Sequence, residues 1–387
     1  GPFPARLVTR NEDPLIRAGP LPALVFSVPI KIFGLEKAAL WIVLTQCIFL
    51  FSAGLLARAL CAPYHANKDI IQALIIFNPS LITLAHHAQS ETIFLLLMTM
   101  FLVCVSNVFR KCDGWRLGTF AVMGLVAGLL PLARPLGYYF ILVAPFLMIF
   151  AFMMPKLERK VDWRRLFYGI ILSVTVAAVT VAPWGIRNKA VFGQFSLTQS
   201  EGIMMGWHYQ LLESYQNPED RTAEQKLRIK KYMNDQKCAD DVNCKYKKIR
   251  SVGKYLYAIG DVGLGNIFRA LLISWGKLFL TGGVSQLGRY MDIGDTTDLY
   301  DFMSDGRSFG QEMQRVASSF ELSQVRFVAL LILAVGFSVV CRVLGLIGVI
   351  VSIRDKSTIR YTVFYLGTIG IFLVMYLFSS IARFRVP

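Results

Sequence analysis

The stretch AHHAQSETIF sets His86, His87 and Glu91 within six positions of one another. His87 and Glu91 are at i and i+4, so they share a face where a helix begins there. A carboxylate beside an imidazole has the makings of a general base or of part of a metal site. Two ligands do not complete such a site, and Glu91 behind Ser90 fits equally well as a first-turn acid after an N-cap. A second set is basic: Arg134 in PLARPLG, Arg187 with Asn188 in APWGIRNKAVFGQF, and Arg383 and Arg385 in ARFRVP. A guanidinium is always charged and offers planar paired donors, the geometry that phosphate oxygens accept. Each arginine taken alone also fits an anchor that reaches out to ordinary lipid headgroups.

The elements that must hold these residues are set by composition. The chain has 387 residues, 55% of them hydrophobic and only 17% charged, which marks an integral membrane protein. Its formal charge of +16 comes without any helix-turn-helix, zinc or RNA-binding signature, so no nucleic-acid partner is assigned. A bilayer crossing takes roughly 20 apolar residues as a helix. That ruler places crossings at 38–60, 69–85, 90–109, 117–133, 136–154, 166–184, 325–352 and 360–381. The expected fold is therefore all-α, a polytopic helical bundle. The segment 21–34, interrupted by Pro22 and Pro29, reads as an interfacial helix.

Short loops give the orientation. Arg110, Lys111 and Arg116, then Lys156, Arg159, Lys160, Arg164 and Arg165, then Arg354, Lys356 and Arg360 make alternate loops basic. These are expected on the cytoplasmic side, which puts residues 1–37 and 185–324 and the closing RFRVP outside. The chain then divides into an external segment at 1–37, a bundle of about six helices at 38–184, a mainly helical extracytoplasmic region at 185–324, and a C-terminal hairpin at 325–387. In the external region Cys238 and Cys244 bracket ADDVN, a spacing open both to a small disulfide loop in an oxidising compartment and to two free thiols. With this topology Asp13, His86, His87, Glu91, Arg134, Arg187, Asn188, Arg383 and Arg385 all fall at outer ends of different segments. Ionisable groups gathered at one membrane level are expensive, so they are read as lining one functional cavity.

Several stretches, in order, resemble the polytopic glycosyltransferases of the GT-C fold, the group related to protein O-mannosyltransferases and the lipid A aminoarabinose transferase. AGPLPALVFSVPIKIFG is similar to that group's proline-rich segment. FNPSLITLAHHAQSETIFLLL is similar to its N-P-x(n)-S-E segment, and GLVAGLLPLARPLGYYF to its G-x-x-x-G-L-x-x-L-x-R-P segment. APWGIRNKAVFGQF looks like P-W-x-x-R-N-x-x-x-F-G, and ARFRVP like a closing R-[YF]-R-x-P. The likeness covers most of 18–199 and 325–387 and fades over 200–324. It implies transfer of a sugar from a polyprenyl-phosphate donor to an acceptor outside the membrane. Arg187, Arg383 and Arg385, with Arg134 next, would hold the donor phosphate.

The resemblance also implies an acidic catalytic base in a first external loop, after an initial transmembrane helix that this chain does not contain. Asp13 is the nearest external aspartate, in surroundings unlike the group's acidic motif, and Glu91 is the other catalytic candidate. The chain lacks an initiator methionine and ends abruptly, and is expected to be a piece of a longer one. The base then lies in a preceding segment, or the chain is a non-catalytic GT-C-like subunit with membrane protein partners. No cofactor is assigned, and a divalent cation is left open. A transporter fits less well, because the polar groups gather at one face and Arg342 alone stands near mid-membrane.

Overall fold

The computed structural model describes residues 19–61, 67–86, 90–110, 117–153, 161–192, 325–355 and 358–383, together with Phe195, Phe268 and Leu272. All regular structure among the described residues is helical. In order these are α1 (Pro20–Leu60), α2 (Lys68–Ile76), α3 (Pro79–Ala85), α4 (Glu91–Arg110) and α5 (Leu117–Ala133). A 3-10 turn (Pro135–Gly137) leads to α6 (Tyr138–Met153), and α7 (Trp163–Phe192), α8 (Val325–Arg354) and α9 (Ile359–Arg383) follow.

The segments Glu36–Leu60, Glu91–Arg110, Pro135–Met153, Trp163–Val191 and Gly336–Arg354 are long and apolar enough to cross a membrane. The protein is a helical, multi-pass integral membrane protein that contacts the bilayer. Outward-facing Leu344, Leu346, Ile347 and Val351 of α8 suit that setting, since lipid tails are as apolar as leucine.

The chain falls into two compact units, residues 1–200 with 343–372, and residues 201–342 with 373–387. The second holds, among the described residues, Phe268, Leu272, the first part of α8 and the end of α9.

Helix α1 is two limbs. They meet at Gly34, whose φ of 74° and ψ of 166° lie outside the helical region and strain any residue with a Cβ. The first limb, Pro20–Gly34, buries Phe26 and exposes Leu24, Val28 and Ile32. Phe33 stacks on Trp41 across the kink at 4.4 Å.

The second limb turns back through α2, where Asn67 Oδ1 accepts from the amides of Asp69 and Ile70. Arg58 ties this hairpin by ion-pairing with Asp69 at 2.8 Å and donating to Gln72 at 2.7 Å. The crossing expected at 69–85 is instead two short helices, α2 and α3. Pro79 disfavours helical backbone at Asn78, whose side chain accepts from the Leu81 amide to start α3 afresh.

The most extensive helix packing joins α5 to α7. A Cβ on Gly124 would lie 2.3 Å from the Ser173 carbonyl oxygen, and one on Gly128 would lie 2.8 Å from that of Ala177. Small residues let two backbones approach where no hydrophobic drive separates helix from lipid. The pairings Gly124 with Ser173 and Gly128 with Ala177 climb together, so α5 and α7 run parallel in a constant register.

At one end of the unit Phe109 is fully buried. Its ring meets Phe152 at 5.1 Å, Tyr361 at 5.5 Å and Phe364 at 5.6 Å. The ends of α4 and α6 and the start of α9 therefore converge there, next to the three basic loops.

Replacing Gly128 by leucine forces this contact apart. Gly128→Leu is expected to lower stability in detergent by about 1–3 kcal/mol through overpacking. Gly118→Leu, at an exposed glycine with open space around it, serves as the control. Equal thermal midpoints for the two variants contradict the close-packed register.

Candidate functional site

The opposite end of the unit carries the polar groups. Leu130 accepts the Arg134 amide at 2.8 Å, closing the last turn of α5. Pro135 then holds Arg134 extended, at φ −150° and ψ 138°, and the chain reverses through the 3-10 turn into α6. From this corner the guanidinium reaches the first turn of α4. Arg134 Nη1 lies 3.2 Å from Glu91 Oε1, with the two side chains only 12% and 11% exposed. The Phe94 ring, one turn along α4, sits beneath the guanidinium carbon at 5.8 Å. The start of α1 is fastened to the same corner, because a Cβ on Gly19 would fall 2.0 Å from the Leu132 carbonyl oxygen.

A hydrogen bond lies beside the ion pair. Thr92 Oγ1 donates to Gln46 Oε1 at 3.1 Å, and both residues are fully buried. It ties the second limb of α1 to the turn of α4 that carries Glu91. Sequence reasoning did not single out Gln46. The available signal is one amide in an otherwise apolar crossing, a residue that must find a partner there.

Arg187 and Asn188 are on α7 itself. The helix was expected to leave the membrane near Trp184, but it continues through Pro183 to Phe192. Proline is tolerated in membrane helices when its neighbourhood re-satisfies the freed carbonyl. Arg187 stacks over the Trp184 ring at 4.7 Å and donates from Nη1 to Asn188 Oδ1 at 3.0 Å. Asn188 is buried. Carried upward, the α5–α7 register sets Arg134 level with Pro183, and Arg187 about one helical turn beyond it. Glu91, Arg134, Arg187 and Asn188 therefore belong to one end of the unit, opposite the Phe109 cluster.

His86, just past the end of α3, places its Nδ1 2.8 Å from the Ile82 carbonyl oxygen, one turn back. Asp13, His87, Arg385, Cys238 and Cys244 lie outside the described residues, and of Arg383 only the backbone, at the last residue of α9, is described. Among the described residues no group of three His, Cys, Asp or Glu side chains could hold a metal ion. No protein family, curated protein or solved structure matches the chain.

The arrangement offers a nearly buried carboxylate–guanidinium pair with a second guanidinium about one turn further out. Breaking a buried pair strands a charge, at about 3–5 kcal/mol, whereas replacing both partners with apolar groups is often neutral. Arg134→Ala is expected to lose stability on that scale, and the double variant Glu91→Leu with Arg134→Met to recover most of it, both read by unfolding in detergent. Equal losses in the single and double variants contradict a pair that must be kept or removed together.

Proposed function

We propose that the protein is a membrane glycosyltransferase that moves a sugar from a polyprenyl-phosphate donor to an acceptor on the extracytoplasmic side. The observation that carries this reading is that Arg134 and Arg187 share one end of the bundle, opposite the end beside the basic loops. Basic loops favour the cytoplasm, so the polar end faces out, with the long segment 185–324. At that level a guanidinium meets the headgroup layer, where a lipid-linked phosphate lies. The order of motifs resembling the GT-C glycosyltransferases, from the proline-rich segment to the closing RFRVP, supports the same assignment.

In such a transfer the acceptor hydroxyl attacks the anomeric carbon. The bond from that carbon to the phosphate oxygen breaks, and the lipid phosphate leaves with the electron pair. A base takes the hydroxyl proton, and positive charge stabilises the departing phosphate. Arg187 and Arg134 are assigned to the phosphate, and Asp13 is the candidate base. Glu91 suits that role less well, because one of its oxygens already lies on Arg134. The same fact favours a second reading, a non-catalytic subunit of a larger membrane complex, which co-purification with partner chains would support.

The test is transfer of radiolabelled sugar from a polyprenyl-phosphate donor by the full-length protein in proteoliposomes. Arg187→Ala is expected to reduce transfer by about 10–100-fold, the scale of one charge-assisted contact to phosphate. Unimpaired transfer by this variant would falsify the phosphate role of Arg187.

A further inference from the structure

The Glu91–Arg134 pair has a geometry suited to exchange. Its carboxylate is in the first turn of α4, where the helix N-terminus favours negative charge, so Glu91 keeps an electrostatic partner when the arginine leaves it. Its backbone is fastened next door by the buried Thr92–Gln46 hydrogen bond, so the side chains can rearrange on a fixed frame. The guanidinium rests on the Phe94 ring, a contact that does not depend on the carboxylate. About a tenth of each side chain stays open. Arg187, about one turn further out at the same end of the unit, is a second positive group there.

We propose that Glu91 is the resting counter-ion of Arg134 and that a phosphate headgroup takes its place on the guanidinium. Glu91 then acts as a regulator of phosphate entry, and the Arg134 charge is balanced while no phosphate is bound. This rests on the glycosyltransferase reading above for the identity of the anion, a phosphate ester on a lipid. The carboxylate and the phosphate compete for one guanidinium, so the apparent affinity for phosphate is reduced by the fraction of time that Glu91 holds Arg134.

The sign of one substitution separates this role from that of a base or a phosphate ligand. Glu91→Gln keeps the size and one acceptor oxygen while removing the competing charge. Calorimetric titration of the full-length protein in detergent with decyl phosphate is expected to show about tenfold tighter binding for Glu91→Gln than for the native protein. The double variant Glu91→Gln with Arg134→Gln, which leaves no charge stranded, is expected to lose that gain. A gain seen with decyl phosphate alone supports exchange with a lipid headgroup, and a gain seen also with inorganic phosphate supports exchange with the phosphate group whatever its tail.

Unchanged or weaker binding by Glu91→Gln overturns the exchange, as does a double variant that binds as tightly as the single one. Sugar transfer by the native protein, measured on the same preparations, keeps the two proposals apart. Tighter binding without transfer refutes the enzyme reading alone, and transfer with unaltered affinity in Glu91→Gln refutes the exchange alone.

Discussion

Close contact between α5 and α7 is the constraint from which the candidate site follows. Gly124 and Gly128 bring their helix backbone against Ser173 and Ala177, and the two helices can lie that close only in one register. The register carries Arg134 and Arg187, more than fifty positions apart in sequence, to the same end of the unit. A one-turn slip would move Arg187 about 5 Å relative to the Glu91–Arg134 pair. Side-chain bulk at either glycine therefore acts on the site without touching it.

The second tie is electrostatic. Glu91 on α4 and Arg134 after α5 meet where each is close to nine-tenths covered, a pairing that contributes little net stability but penalises the loss of either partner. The Gln46–Thr92 bond adds α1 to the same junction. Three helices thus share a polar end, while aromatic packing around Phe109 closes the other. Such a division suits a membrane protein whose polar work is done at one surface and whose opposite end carries the charges that set orientation.

Much of this was legible in the sequence. Apolar length gave the candidate crossings at Glu36–Leu60 and Glu91–Arg110 nearly to the residue, because a hydrocarbon slab imposes both helix and length, and it gave Leu117–Ala133 as a helix, though a shorter one. The same ruler misread 69–85, where the Asn78–Pro79 break outweighs apolar content and divides the span. The crossing expected at 166–184 lies within α7, which runs on past Pro183 and Trp184 to Phe192. Glu91 and Arg134 were each picked out by charge at membrane depth, yet their contact is a tertiary fact that spacing along the chain does not contain. Gln46 escaped notice because a single amide within an apolar run has no local pattern; its meaning comes only from Thr92 on another helix.

The central claim is that the end carrying Glu91, Arg134 and Arg187 faces away from the compartment of the basic loops. Cysteines introduced singly at exposed Lys189, beyond Arg187 on α7, and at exposed Arg164, at the start of the same helix, can be labelled in sealed vesicles of known orientation with a membrane-impermeant maleimide. A background lacking the native cysteines makes the signal specific. The account predicts that the cysteine at 189 reacts only from the extracytoplasmic side and the one at 164 only from the cytoplasmic side. Labelling of both from one side, or in the reverse sense, contradicts it.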